Sequence, residues 1–214
     1  MSEFDNSRVR RRDSAIRDDL LVIANLIESG SRVLDIGCGD GALLDYLARH
    51  SDVDARGLEV SQERVKACVS RGLSVIQGNA DIDLRHYPDQ AFDYVVLSLT
   101  LQATLRPREV IAEMVRIGQR AIVSFPNFGY WRVRWDLLRH GRMPVTETLR
   151  DSWYETPNIH LCTIRDFVLM CRDLGLTIER RLYLSHDGTP QRFQGTGRWA
   201  NLFGEQGLFT LRRD

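Results

Sequence analysis

The chain has 214 residues, long enough for one domain with a modest lid and a continuous core. Its 29 basic and 29 acidic residues cancel, leaving no whole-molecule field to gather nucleic acid, and with Lys66 the single lysine, arginine clusters reflect a compositional bias. No apolar signal segment or membrane-length run is present, and Cys38, Cys68, Cys162 and Cys171 lack C-x-x-C or finger spacing, which excludes a membrane protein, a zinc finger and a disulfide framework; a cytoplasmic protein with reduced thiols is expected.

Along the chain, Ile16, Leu20, Ile23 and Ile27 fall on one face of an amphipathic helix, within an N-terminal helix region (1–30) that packs across a sheet or covers a ligand site. Val33-Leu34-Asp35-Ile36 reads as a strand that breaks into Gly37-Cys38-Gly39-Asp40-Gly41. Leu43, Leu44 and Leu47 follow at helical spacing. Val53 to Val60 predicts a second strand, Ser61 an N-cap, and Val65, Cys68 and Val69 a helix stopped by Gly72. Leu73 to Gln77 is a third strand running into Gly78-Asn79-Ala80-Asp81. Phe92 to Leu99 is a fourth, apolar as a strand buried on both faces should be. Pro107 opens a helix that Gly118 ends, and Ala121 to Phe125 is the fifth strand.

The rhythm then breaks. Residues 126–162 are too irregular for another plain crossover and predict an inserted cap. Thr163 and Asp166 start a helix through Phe167, Met170 and Leu174, and Leu176 to Leu184 and Leu208 to Leu211 are expected as an antiparallel edge pair. The polar, glycine-rich residues 185–207 read as a mobile loop between them. The expected fold class is α/β: a Rossmann-like, seven-stranded, mostly parallel sheet with helices on both faces and a cap after strand five, in a single domain spanning 1–214.

The glycine turn organises this chain, because its backbone N–H groups face whatever sits at the following helix N-terminus. Two cofactor classes use such a turn. G-x-G-x-x-A from Gly37 to Ala42, with Glu59 about 20 residues on, matches the dinucleotide spacing. Asp35 discriminates, since a carboxylate there repels a pyrophosphate but suits a ligand with an ammonium group and a sulfonium, as S-adenosylmethionine has. With its neighbours, the first 125 or so residues resemble the class I S-adenosylmethionine-dependent methyltransferase fold. The resemblance implies a site for S-adenosylmethionine or S-adenosylhomocysteine built from Asp35, Gly37, Cys38, Gly39, Glu59, Val60, Asn79, Ala80, Asp81 and Ser98. In it Asp35 holds the ammonium, the helix N-terminus favours the carboxylate, and Glu59 accepts the ribose hydroxyls. Asn79 stands where that superfamily often has the aspartate that reads adenine, with Asp81 as the second candidate. Ser98, Leu99 and Thr100 line the floor beside the methyl group.

The second informative block runs from Ser124-Phe125-Pro126-Asn127-Phe128-Gly129 through Trp131, Trp135 and Leu138 at i, i+4 and i+7. Three uses compete: base stacking, which the zero net charge disfavours, a core stripe, and a partner surface anchored by Tyr130, Trp131, Arg134 and Trp135. Together with Gly141 to Pro144 and Trp153-Tyr154-Glu155-Thr156-Pro157-Asn158-Ile159-His160, this block closely resembles the methionine biosynthesis protein MetW family. That resemblance implies an accessory or regulatory role toward a MetX-type homoserine O-acyltransferase; the alternative is a methyltransferase acting on an unidentified small molecule or protein. Tyr154 and His160 are the candidate general bases if an acceptor must lose a proton. No metal-ligand spacing and no G-x-S-x-G nucleophile are visible, so acyl-transfer chemistry is assigned to a partner, and neither nucleic acid nor membrane is expected as one.

Overall fold

The computed structural model describes residues 16–146, 149, 151–191 and 197–213. The elements are α1 (Asp18–Ala24), β1 (Arg32–Ile36), α2 (Ala42–His50), β2 (Asp54–Glu59), α3 (Gln62–Ser70), β3 (Ser74–Gln77), α4 (Ala80–Asp83), β4 (Phe92–Ser98), α5 (Pro107–Ile117), β5 (Gly118–Pro126), α6 (Trp131–His140), α7 (Ile164–Asp173), β6 (Leu176–Leu184), α8 (Arg198–Phe203) and β7 (Gln206–Arg213). One seven-stranded sheet has the order β3-β2-β1-β4-β5-β7-β6, parallel except for β7, which runs antiparallel to β5 and β6. The expected fold class is the observed one. Residues 1–15 of the predicted N-terminal helix region lie outside the described residues, and α1 ends at Ala24, short of Ile27.

Strand alternation divides the core into two layers. Leu34 and Ile36 of β1, Val95 and Leu97 of β4, and Val123 and Phe125 of β5 face the layer that holds α5 and α7. Val33, Tyr94, Val96 and Ile122 face the opposite layer, which α1 covers with Leu20, Ile23 and Ala24 and α2 with Leu43 and Leu47. By the same alternation Asp35 and Ser98 stand on the α1 side, at the carboxyl ends of β1 and β4. This end of a parallel sheet, where the strand order turns outward from β1 and β4, is where α/β folds place their ligands.

Two expectations are corrected. Residues 185–207, expected as a loop, contain α8, and β7 begins at Gln206 rather than Leu208. The short helix persists because its interior is tied down: Ala200 and Asn201 are buried, and Asn127 donates from Nδ2 to the carbonyls of Asn201 (2.9 Å) and Gly204 (2.6 Å). The core reading of the Trp131, Trp135 and Leu138 stripe is also overturned. Val133 is the residue α6 buries, while Trp131, Trp135 and Leu138 are 40%, 57% and 79% exposed.

Asn127 is the central tie of the cap. Beyond its two donated bonds, its Oδ1 accepts from the backbone N–H groups of Gly129 (2.9 Å) and Ile164 (3.2 Å), so one buried amide joins β5, the cap entrance, α7 and α8. Asn127→Ala orphans buried backbone groups, and a loss of about 2–4 kcal/mol is expected. Thermal denaturation is predicted to show a drop in Tm of roughly 5–12 °C; an unchanged Tm would mean the tie is dispensable.

Candidate functional site

Three strand ends and one turn build the site. Gly37, Gly39 and Gly41 all have positive φ, at 68°, 60° and 75°, a backbone path that side chains with a Cβ resist. At Gly37 the requirement is doubled, since a Cβ would stand 2.9 Å from the Thr100 side chain. At Gly39 the requirement differs: a Cβ would meet nothing within 4 Å, so the turn leaves open space there. The turn is fastened to β2, with the N–H groups of Gly37 (2.7 Å) and Cys38 (3.3 Å) donating to the Leu58 carbonyl.

Glu59 ends β2 with 3% exposure. Its Oε2 accepts from Gly39 N–H and its Oε1 from Ser61 N–H, both at 2.9 Å. Those two bonds fix the carboxylate and leave further lone pairs on each oxygen, the arrangement needed to accept from two adjacent hydroxyls. The spacing from turn to acid thus has a mechanical cause, because Gly39 and Glu59 bond each other.

Asp35 is also 3% exposed, and its carboxylate accepts no hydrogen bond from any described residue. Burial raises its pKa from 3.8 to about 7, partly countered by the positive charge of Arg17 and reinforced by the negative charge of Glu59. A buried acid without donors is costly, and a cationic ligand group is what relieves it. Burial, with help from Asp35, Cys68 and Glu59, also pushes the Cys38 thiol up, so Cys38 is a packing residue of the turn rather than a nucleophile.

The other expected positions divide. Asn79 caps α4, its Oδ1 accepting from Asp81 N–H at 2.9 Å, while its own N–H donates to Asp83. Ala80 follows it, half-buried, in the first turn of α4, and Val60 is exposed beyond β2. Asp81 has both oxygens engaged, accepting from Leu105 N–H (3.0 Å) and Arg106 N–H (2.9 Å), and so anchors the entry to α5. Ser98 lies at the end of β4, in contact with Ser124 Oγ (3.3 Å). After it, Leu99 holds a φ of 47°, fixed by its N–H bonding the Ser124 carbonyl and hydroxyl and its carbonyl accepting from Gln102 Nε2.

His160 and Tyr154 are placed differently from each other. The N–H groups of Ile159 and His160 donate to the Gln102 carbonyl at 2.8 and 3.0 Å, and His160 Nε2 sits 3.3 Å from the Leu105 carbonyl. His160 therefore docks the cap onto the turn that follows β4. Tyr154 is 70% exposed and packs edge-on against Trp153. Sequence reasoning missed Arg17, whose Nη2 lies 3.5 Å from Ser98 Oγ, and Gln102; the compositional arginine bias concealed the first.

The strand order and crossovers give this chain the class I S-adenosylmethionine-dependent methyltransferase fold. A solved S-adenosylmethionine-dependent methyltransferase from Mesorhizobium loti superposes with a TM-score of 0.66 at 16% identity, covering 92% of this chain and 98% of that one. Residues 17–211 match the family model of the methionine biosynthesis protein MetW, and the chain belongs to that family. It is 36% identical over 184 residues to the bifunctional methionine biosynthesis protein MetXA/MetW of Rhodopirellula baltica, covering 82% of this chain; the match spans 30% of that relative's length. A demethylmenaquinone methyltransferase from Listeria welshimeri is 27% identical, with 76% of each chain covered. No helix among the described residues is long and apolar enough to cross a membrane.

The Asp35 carboxyl gives a signed prediction. Its folded pKa lies above its unfolded one, so the native state holds a proton the unfolded state has lost, and stability falls as pH rises from about 4 to about 7. Asp35→Asn is expected to raise Tm at pH 8 by roughly 3–8 °C while weakening binding of a cationic ligand by about tenfold or more. Differential scanning fluorimetry and calorimetric titration read the two effects, and a variant less stable at pH 8 would contradict the assignment.

Proposed function

We propose that this protein binds S-adenosylmethionine and acts as an accessory subunit of a MetX-type homoserine O-acyltransferase, adjusting entry into methionine synthesis. The observation that carries the reading is the relative whose name unites MetXA and MetW in one bifunctional protein, read alongside the match to the MetW family model. The residues present suit the cofactor. Asp35 would hold the ammonium, Glu59 the ribose hydroxyls, the open space at Gly39 the approach of the ligand to the backbone, and the Asn79–Ala80 corner the adenine edge.

The cofactor's chemistry is a methyl group on a sulfonium, but the residues beside the strand ends favour sensing over transfer. His160 is occupied in docking the cap, and Tyr154 is exposed and packs against Trp153. Because S-adenosylmethionine is made from methionine, a protein that binds both it and the acyltransferase links flux to end product, provided its affinity differs between free and complexed states. On the partner side, Trp131 and Trp135 offer exposed aromatic area on α6, flanked by Tyr130. Arg134 is held by its Nε bond to the Gly129 carbonyl at 2.6 Å, which fixes the helix start under that surface.

The test is copurification with a homoserine O-acyltransferase, with acyltransferase activity measured with and without this chain and with added S-adenosylmethionine. Binding and a change in activity are expected, and the double variant Trp131→Ala, Trp135→Ala should weaken association by about tenfold or more. No association at micromolar concentration would overturn the proposal. The likeness to a demethylmenaquinone methyltransferase favours a second reading, a methyltransferase acting on a small molecule or protein. Transfer of a labelled methyl group into cell extract, abolished in Asp35→Ala, would select it.

A further inference from the structure

The expected partner for the carboxylate of the ligand's amino-acid end was the N-terminus of α2, where the structure places acids of the chain itself. Asp40 Oδ1 accepts from Ala42 N–H at 3.2 Å, just ahead of the left-handed Gly41 N-cap, which makes no side-chain bond of its own. Asp45 adds a second negative charge in the first turn. An incoming carboxylate needs a cation elsewhere on the rim.

Arg17 is that cation by position. It occupies the N-cap of α1, on the face of the sheet toward which Asp35 and Ser98 point. Its guanidinium makes two parallel bonds to Asp19, Nε to Oδ1 at 3.0 Å and Nη2 to Oδ2 at 2.8 Å, and Nη2 reaches Ser98 Oγ at 3.5 Å. The Asp19 side chain is 6% exposed while that of Arg17 is 57% exposed, so a buried acid holds an accessible fork over the strand ends. The start of α1 is itself braced. Ser185 N–H bonds the Thr189 carbonyl and Gly188 N–H the Ser185 carbonyl, forming a tight turn after β6. Gly188, at φ +85°, lies so close to α1 that a Cβ there would overlap the Asp19 backbone nitrogen.

We infer that Arg17 binds the α-carboxylate of the ligand's amino-acid end, completing with Asp35 a charge pair that reads the zwitterion. This rests on the proposed S-adenosylmethionine site and adds its second charged contact. Asp19 is a positioning residue, and the Gly188 turn sets the height of the helix start above the pocket.

Calorimetric titration of the full chain with S-adenosylmethionine and with decarboxylated S-adenosylmethionine, which keeps the ammonium and sulfonium but lacks the carboxylate, isolates the contact. Wild type is expected to bind the carboxylated ligand about tenfold more tightly, as one charge-assisted bond at a half-exposed site allows. Arg17→Ala should bind both ligands alike, and an unchanged circular-dichroism spectrum shows that the variant is folded. Discrimination that survives in Arg17→Ala would overturn the inference, as would a wild type that binds both ligands equally. A wild type that binds neither would overturn the underlying cofactor reading, and the two failures are therefore distinct.

Discussion

A carboxyl group at the end of a central parallel strand, buried and without a hydrogen-bond donor among the described residues, constrains everything around it. Asp35 is 3% exposed, and no described residue hydrogen-bonds it. The surrounding elements supply charge at a distance. Arg17 faces it from α1, whereas Glu59 raises the local negative potential from β2. Such an arrangement costs stability in the free protein and is retained where a ligand offsets it. The glycine turn, the acid of β2 and the helix that covers the sheet stand around that one carboxyl group.

The second half of the chain supports this site and also builds a surface away from it. One buried asparagine, Asn127, gathers β5, α7 and α8, while the Gln102 carbonyl collects the segment around His160. Phe125, Phe167 and Phe209 pack within 4.7 to 5.8 Å of one another beneath these ties. The cap is therefore coupled to the turn that follows β4, and Trp131, Trp135 and Trp153 are exposed. The segment around His160 thus meets the turn after β4 through a few hydrogen bonds.

Much of this was legible from residue pattern alone. Five apolar runs separated by helical spacing give the parallel sheet, and Asp35 and Glu59 stand out because an acid at a strand end interrupts an apolar run. What pattern cannot supply is partner identity in space. The i, i+4, i+7 spacing of Trp131, Trp135 and Leu138 marks a shared face but does not say which face the core takes, and Val133 took it. α8 is six residues long and owes its existence to Asn127, more than 70 residues away, so no local signal announces it. Asp81 sits beside the expected adenine contact, yet its oxygens are committed to the loop before α5. Arg17 is hidden among many arginines and becomes distinctive only once Asp19 and Ser98 are seen beside it.

Proton counting on ligand binding tests the central role of Asp35 most directly. With its pKa at about 7 in the free protein, Asp35 is largely protonated at pH 6.5, and an ammonium group docking against it drives the proton off. Calorimetric titration of S-adenosylmethionine at pH 6.5 in buffers of different ionisation enthalpy is predicted to show release of most of one proton, absent in Asp35→Asn. Binding with no proton released by the wild-type protein would contradict it.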